Sequence, residues 1–336
     1  MKRRPLGTPR PSQPPERSRW LNCVLTPHRR LSREAAEMPH TLRAERTALR
    51  PIWAYLGPAS ADSYRLYVRR CPETQARAAS LDLLATLIRP HLRAKSLDVL
   101  VLGVGEGRQD IYLATRLLRA GDPASSLGLV DLSEPLLTAA YVHAAESLPH
   151  VAVWALLADL EELSSYADLL SLLDRQRVIV LLGGTLGEIE DELRFLRYGL
   201  AFCTAGDLLV LDVPLSAGGD NAVRSKRQGA AAQQRLDAAA AWLTTALSPY
   251  SDGEPLAWSL RLNSGEGIRG SYSWTAVASG HASSGPCAIE LWRCKYYESA
   301  PLIEQLYALG WEHVAACAYG GPLPGELQVY RRRETP

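Results

Sequence analysis

From residue 81 onward the chain alternates between two hydrophobic rhythms. In "SLDLLATLIRPHLR", "RQDIYLATRLLRA" and "EPLLTAAYVHAAESL" the apolar positions recur every three or four residues, the spacing of one helix face. Among these stand "SLDVLVLGVGEG", "SLGLVDLS", "VAVWALLADL", "RVIVLLGG" and "GDLLVLDVPLS". Each is an apolar run too short for a helix, and together they read as five strands. Strands without polar alternation are covered on both faces, as in a parallel sheet, and right-handed crossovers between them give a doubly wound α/β fold.

After the fifth strand the rhythm breaks. About 70 residues, from Ser216 to roughly Cys287, precede the next strand, "CAIELWRCKYY". A crossover needs far fewer. The insert carries an Ala-rich helical stretch, "QGAAAQQRLDAAAAWLTTAL", and two strand-like runs, "LAWSLRLN" and "GSYSWTAVAS", so it reads as an added lobe. "APLIEQLYALGWEHVAACAYG" then reads as helix, turn and strand, and "GELQVYRRR" as a last strand. The expected division is an Arg/Pro-rich tail over 1–37 and N-terminal helices over 38–80 that join the lobe. The α/β core takes 81–215 and 287–336, and the inserted lobe segment 216–286.

Composition narrows the partners. The 336 residues carry 37 basic and 36 acidic side chains, so nothing global favours nucleic acid. The balance is uneven, with residues 1–50 at +8 and the rest at −7. The stretch "MKRRPLGTPRPSQPPERSR" lacks the apolar segment of a secretory signal and reads as disordered. No apolar run approaches the roughly 20 residues of a membrane span, so no membrane partner is expected. The six cysteines, Cys23, Cys71, Cys203, Cys287, Cys294 and Cys317, form no C-x-x-C pair, and the seven histidines are scattered. Reduced thiols in a cytoplasmic protein and no metal site are expected.

The chemistry gathers at strand ends. "VLVLGVGEGRQD" places Gly103, Gly105 and Gly107 in a G-x-G-x-G loop ahead of a helix whose positive end faces the loop. Asp131 ends the second strand, 24 residues past Gly107, where a carboxylate accepts ribose hydroxyls. Asp159 follows the third strand, within reach of an adenine amino group, and Gly183 opens the loop after the fourth. This unit resembles the Rossmann-like S-adenosylmethionine methyltransferases, a likeness supported by the late helix and closing hairpin. NAD is the competing cofactor, but the dinucleotide fingerprint is G-x-G-x-x-G, and no Tyr-x-x-x-Lys pair appears.

A closer resemblance is to the histidine Nα-methyltransferases of ergothioneine biosynthesis, over about residues 50–330. It rests on "LLGGTLGEIEDELRFL", "LGVGEG", "VDLSEPLLTAA", "GDLLVLDVPLS" and "IELWRCKYYESAPLIEQLYALGW". It implies an S-adenosylmethionine cofactor and a substrate lobe built from the insert and the N-terminal helices. Two departures bear on substrate. The family's amino-binding Asn is Glu188 here, and its tyrosine-bearing carboxylate segment corresponds to "GGDNAVRSKRQG", which has no tyrosine. Arg224, Lys226 and Arg227 of that segment read as a solvated face, with carboxylate binding as the alternative. Glu290 matches the family's glutamate that contacts the histidine ring. The departures argue against histidine itself.

The expected activity is N-methylation of an amino acid or amine-bearing small molecule, with Glu188 as catalytic acceptor of the amine proton. Thr185, Glu188, Tyr64, Tyr67, Tyr272, Trp274 and Glu290 are the candidate substrate contacts. Glu190, Asp191 and Glu192 read as an acidic first turn of a helix. Two alternatives stay open: C- or O-methylation of an aromatic molecule, and a cofactor-binding interaction protein that has lost catalysis.

Overall fold

The computed structural model describes residues 46–118, 124–171, 175–216, 221–249, 256–264, 267–282, 285–320 and 324–334. The Arg/Pro-rich tail and the side chains of Arg224, Lys226 and Arg227 lie outside what is described. In chain order, β1 (Arg46–Ala48) leads through a turn of 3-10 helix (Pro51–Tyr55) into α1 (Pro58–Arg70) and α2 (Pro72–Ile88). Then come β2 (Leu97–Leu102), α3 (Arg108–Leu117), β3 (Ser126–Asp131), α4 (Glu134–Ser147), β4 (Ala152–Leu157), β5 (Gln176–Leu181) and β6 (Leu208–Pro214). The insert holds α5 (Asn221–Leu247), β7 (Ala257–Ser264) and β8 (Tyr272–Ala282). The chain closes with β9 (Gly285–Tyr296), α6 (Ser299–Ala308), β10 (Trp311–Tyr319) and β11 (Gly325–Arg332).

Seven strands form the main sheet in the order β10-β11-β6-β5-β2-β3-β4. From β6 to β4 the pairs are parallel, while β11 lies antiparallel to both β6 and β10. β2 and β3 are buried along their whole length, which is why their sequences show no polar alternation. Helices α2, α3 and α4 cover one face through Leu84, Ile111 and Ala140. The short helices after β4 and β5, together with α6, cover the other through Leu163, Phe195 and Leu302. The chain leaves β2 toward β3 and β4, then returns to place β5 on the opposite side of β2. That reversal opens a crevice at the carboxyl ends of β2 and β5.

A second sheet, β1-β9-β8-β7, packs with α5, α1 and the Pro51–Tyr55 turn around a third core of Trp53, Tyr67, Trp242, Ile289, Trp292 and Tyr296. The Trp242 Nε1 donates to the Ala54 carbonyl at 2.6 Å, tying the inserted helix to the N-terminal turn. One strand lies elsewhere than the sequence reading placed it. Residues 287–296 of "CAIELWRCKYY" lie in β9, which pairs with β8 and β1 in the second sheet, while Tyr297 reaches back to the end of β6 through a parallel bridge to Leu215. The core edge is completed instead by the β10–β11 hairpin.

Candidate active site

The loop after β2 turns on glycines with positive φ. Gly103 has φ 72°, and a Cβ there would lie 2.6 Å from Thr185 Cγ2, so only glycine fits against the loop after β5. A Cβ on Gly105 would stand 3.4 Å from the Tyr64 ring, in the space the crevice leaves open. Asp131, at the end of β3, fixes the loop from the side. It accepts the Gly105 N–H at 2.9 Å and the Ser133 N–H at 2.8 Å. Burial raises its pKa, and these two backbone donors pull it back down.

Gly103, Gly105, Gly107, Asp131, Asp159 and Gly183 all line one cavity at the crevice. The cavity is also lined by Thr185, Glu188 and Tyr64. Both oxygens of Asp159 are engaged. One caps the following turn through the Glu161 N–H at 3.0 Å, and the other takes the Arg50 guanidinium at 2.6 Å. Arg50 precedes the 3-10 turn and comes from 109 residues away, beyond the reach of local sequence reading. Thr185 spends its hydroxyl on the Leu182 carbonyl at 2.7 Å, which shapes the turn.

Charge in this cavity leans negative. Six carboxylates line it (Glu106, Asp110, Asp131, Asp159, Glu161 and Glu188) against three guanidiniums (Arg50, Arg77 and Arg108). Asp110 is buried deeply enough that its pKa rises to about 7. Such a lining favours a cationic occupant and disfavours the pyrophosphate of a dinucleotide.

Glu188 stands where this cavity meets a second one. It ends the single helical turn Thr185–Glu188 after β5, and its side chain is half-buried. The Tyr55 hydroxyl donates to its two oxygens at 2.8 and 2.7 Å, and the Trp292 Nε1 donates to Oε1 at 2.9 Å. Burial raises its pKa, and the two donors oppose the rise. Around it Tyr55, Tyr64, Tyr67, Trp242 and Trp292 form one aromatic cluster, with Tyr64 and Trp242 each about 5 Å from Tyr55 by ring centroid. Tyr67, Arg235 and Trp292 line the second cavity with Glu188.

The other proposed substrate contacts sit outside both cavities. Tyr272 stacks on Tyr296 at 5.3 Å, and Trp274 packs against the third core. Glu290 is paired with Arg261 and faces away from Glu188's surroundings in its contacts. β8 lies beside β9 in the same sheet, Trp292 of β9 lines the second cavity, and the register shift between Ala276 and Val277 pairs Glu290 with Val277, on the face opposite Trp292. Glu192 also departs from the expected solvated first turn. It is fully buried, pairs with Lys295 and accepts the Ile268 N–H at 3.1 Å, fastening the lobe to the loop after β5. Asp191 does cap its turn, through the Arg194 N–H at 2.9 Å.

The strand order, with its one strand antiparallel to the rest, defines a Rossmann-like methyltransferase sheet carrying a small extra sheet. No family model matches the chain, and no curated protein matches it. Solved structures are similar at low identity. The methyltransferase CcbJ from Streptomyces caelestis is 16% identical, over 85% of this chain and 99% of that one, with TM-score 0.45. The 1,6-didemethyltoxoflavin-N1-methyltransferase from Burkholderia thailandensis is 14% identical, over 79% and 91%, with TM-score 0.38. The glycopeptide N-methyltransferase MtfA is 13% identical, over 92% and 99%, with TM-score 0.38. Among the described residues no helix is long and apolar enough to cross a membrane.

Proposed function

We propose that this protein is an S-adenosylmethionine-dependent N-methyltransferase of a small amine-bearing molecule, with Glu188 as the group that receives the amine. The observation that carries the reading is Glu188 itself, a half-buried carboxylate held by two donors at the junction of two cavities. The residues of the first cavity fit the cofactor in charge and in shape. The carboxylate excess suits a sulfonium, and the glycine loop leaves room that a side chain would fill. Asp131 is the ribose partner in this reading, and Asp159 stands at the adenine end beside Arg50.

When bound, S-adenosylmethionine supplies the methyl carbon; the chain's residues bind, orient and handle the proton. An ammonium has no lone pair and must lose a proton before it attacks. Tyr55 and Trp292 hold Glu188 by donation, so the carboxylate has no rotation to lose when the amine arrives. Its raised pKa makes it a better proton acceptor than an exposed glutamate. The surrounding aromatic rings exclude water and attract the ammonium through their faces. Glu188 favours a charged amine as its partner.

The test is calorimetry with S-adenosylhomocysteine, followed by radiolabelled methyl transfer to amines, amino acids and phenols. Binding with transfer to nitrogen supports the proposal. Absence of binding removes the cofactor reading. Transfer to phenolic oxygen or to carbon replaces the N-methyl reading, and binding without transfer to any member leaves an interaction protein.

A further inference from the structure

The second cavity holds a cation that the mechanism above does not use. Five charged side chains line it: Glu73, Arg77, Glu188, Asp212 and Arg235. Arg77 is neutralised by Asp212, which also accepts the Tyr319 hydroxyl at 2.6 Å. Glu73 accepts the Cys71 thiol at 2.8 Å. Arg235, on the lobe helix α5, has a different set of neighbours. Its Nε donates to the Tyr67 hydroxyl at 3.0 Å, its Nη1 lies 3.0 Å from Cys294 Sγ, and its guanidinium carbon sits 5.2 Å from the centroid of the Trp292 ring. Among the described residues no carboxylate forms an ion pair with it.

Three contacts thus orient the guanidinium, and its charge acts on Glu188 across the cavity, where it lowers that carboxylate's pKa. Trp292 is the link to Glu188: its Nε1 donates to the carboxylate while its ring carries Arg235. One indole separates an anion from a cation on the wall of one small cavity. A substrate that carries an ammonium and a carboxylate a few bonds apart, with a hydrogen bond of about 2.9 Å at each end, has the polarity and the span to bridge them. A fork of N–H donors suits a carboxylate, and the pairing is strengthened by exclusion from water.

Resting on the reading of Glu188 as the amine's partner, we propose that Arg235 binds the substrate's carboxylate, so that the substrate is an amino acid and not a simple amine. Arg235 is then the specificity-determining residue, contributed by the inserted helix, and the lobe selects the substrate by its acid group. The "GGDNAVRSKRQG" stretch has no part in this assignment; the carboxylate site lies further along the same helix.

The experiment compares matched pairs, histidine with histamine, tyrosine with tyramine, tryptophan with tryptamine and leucine with isoamylamine. Affinity for the protein saturated with S-adenosylhomocysteine is measured by calorimetry, and methyl transfer is measured in parallel. The expected result is at least one pair in which the acid-bearing member binds more than about 10-fold tighter. In that pair Arg235→Gln weakens the acid by about 10- to 100-fold, the range of a charge-assisted contact, and leaves the amine within about twofold. Arg235→Lys, which keeps the charge and loses the fork, falls between them. Should Arg235→Gln not fold, Arg235→Lys still carries the comparison.

Equal affinity within every pair overturns the proposal, as does an Arg235 variant that weakens acid and amine alike, the mark of a structural role. Absence of binding by any member also overturns it. Arg235-dependent binding of an acid without methyl transfer keeps this assignment and defeats the methyltransferase reading. Transfer to amines independent of Arg235 does the reverse.

Discussion

Glu188→Gln separates charge from shape at the proposed site. The wild-type carboxylate meets two donors, the Tyr55 hydroxyl and the Trp292 Nε1. A glutamine at 188 keeps the shape and one of the two contacts as it stands. Its oxygen accepts from Trp292, and its NH2 donates to the Tyr55 hydroxyl, which turns to accept. The Tyr55 proton then loses its acceptor, so the variant loses a negative charge, a proton acceptor and one donor's partner. Folding stability is therefore expected to hold or fall by about 1 kcal/mol, read as Tm by calorimetry. Proton transfer by a positioned base is worth about 10²- to 10⁴-fold, which is about 3–5 kcal/mol at 1.36 kcal/mol per decade. kcat/KM on an amine substrate should fall by that factor, while affinity for S-adenosylhomocysteine changes by less than about threefold. Because burial raises the Glu188 pKa, the acid limb of the wild-type kcat/KM profile should lie above the ordinary carboxylate range. Activity is lost as pH falls through that limb, and the limb should vanish from whatever rate the glutamine variant retains. Turnover within about threefold of wild type, in a folded variant that binds cofactor, would refute the role given to Glu188.

Three further outcomes follow from the same geometry. Asp131 faces two N–H donors, Gly105 and Ser133, and asparagine offers them a single acceptor oxygen; both Asp131→Asn and Asp131→Ala should weaken S-adenosylhomocysteine by about 10- to 100-fold by calorimetry. Unchanged affinity would remove Asp131 from the cofactor site. Gly103→Ala combines a positive φ with a contact on Thr185 Cγ2 and should cost more than about 1 kcal/mol in denaturant unfolding. Adding Thr185→Ser, which deletes that methyl group, should recover part of the loss, and strict additivity of the two changes would count against the contact. Asp110 has a folded-state pKa of about 7, raised by burial, so the folded protein holds its proton more tightly than the unfolded chain does. Apo stability should accordingly fall as pH rises from about 4 to about 7, and Asp110→Asn should flatten that slope and raise Tm most above pH 7. A wild-type Tm that climbs over this interval, or an unaltered slope in the variant, would contradict the assignment.

The main sheet was legible because its strands announce themselves. Five apolar runs stopped by glycine, aspartate or proline cannot be mistaken for helices, and the intervening helices are amphipathic. Right-handed crossovers then leave few arrangements. β9 was harder. It is apolar at intervals, but Glu290, Arg293 and Lys295 interrupt it, at odds with a strand covered on both faces. That alternation was the available signal for a lobe strand. The charges are tolerated because Arg261 and Glu192 answer Glu290 and Lys295 from segments distant in sequence, and no local pattern encodes those pairs.

The residues proposed for the cofactor stand at strand ends and line one cavity, and a positional rule places them there. The residues proposed for the substrate obey no such rule. Tyr55 stands 133 residues before Glu188 and Trp292 104 residues after it, and neither carries a motif. Their chemistry nevertheless accounts for the glutamate. Both present a donor to the same spot, and an amide there would have to turn its own NH2 toward one of them, spending its remaining polarity on the protein. A carboxylate accepts from both and keeps lone pairs directed into the cavity. Position 188 therefore cannot be read by itself: two aromatic donors from the lobe make an acceptor-only side chain the fitting one, and that side chain in turn favours a cation in the space between Glu188 and the glycine loop.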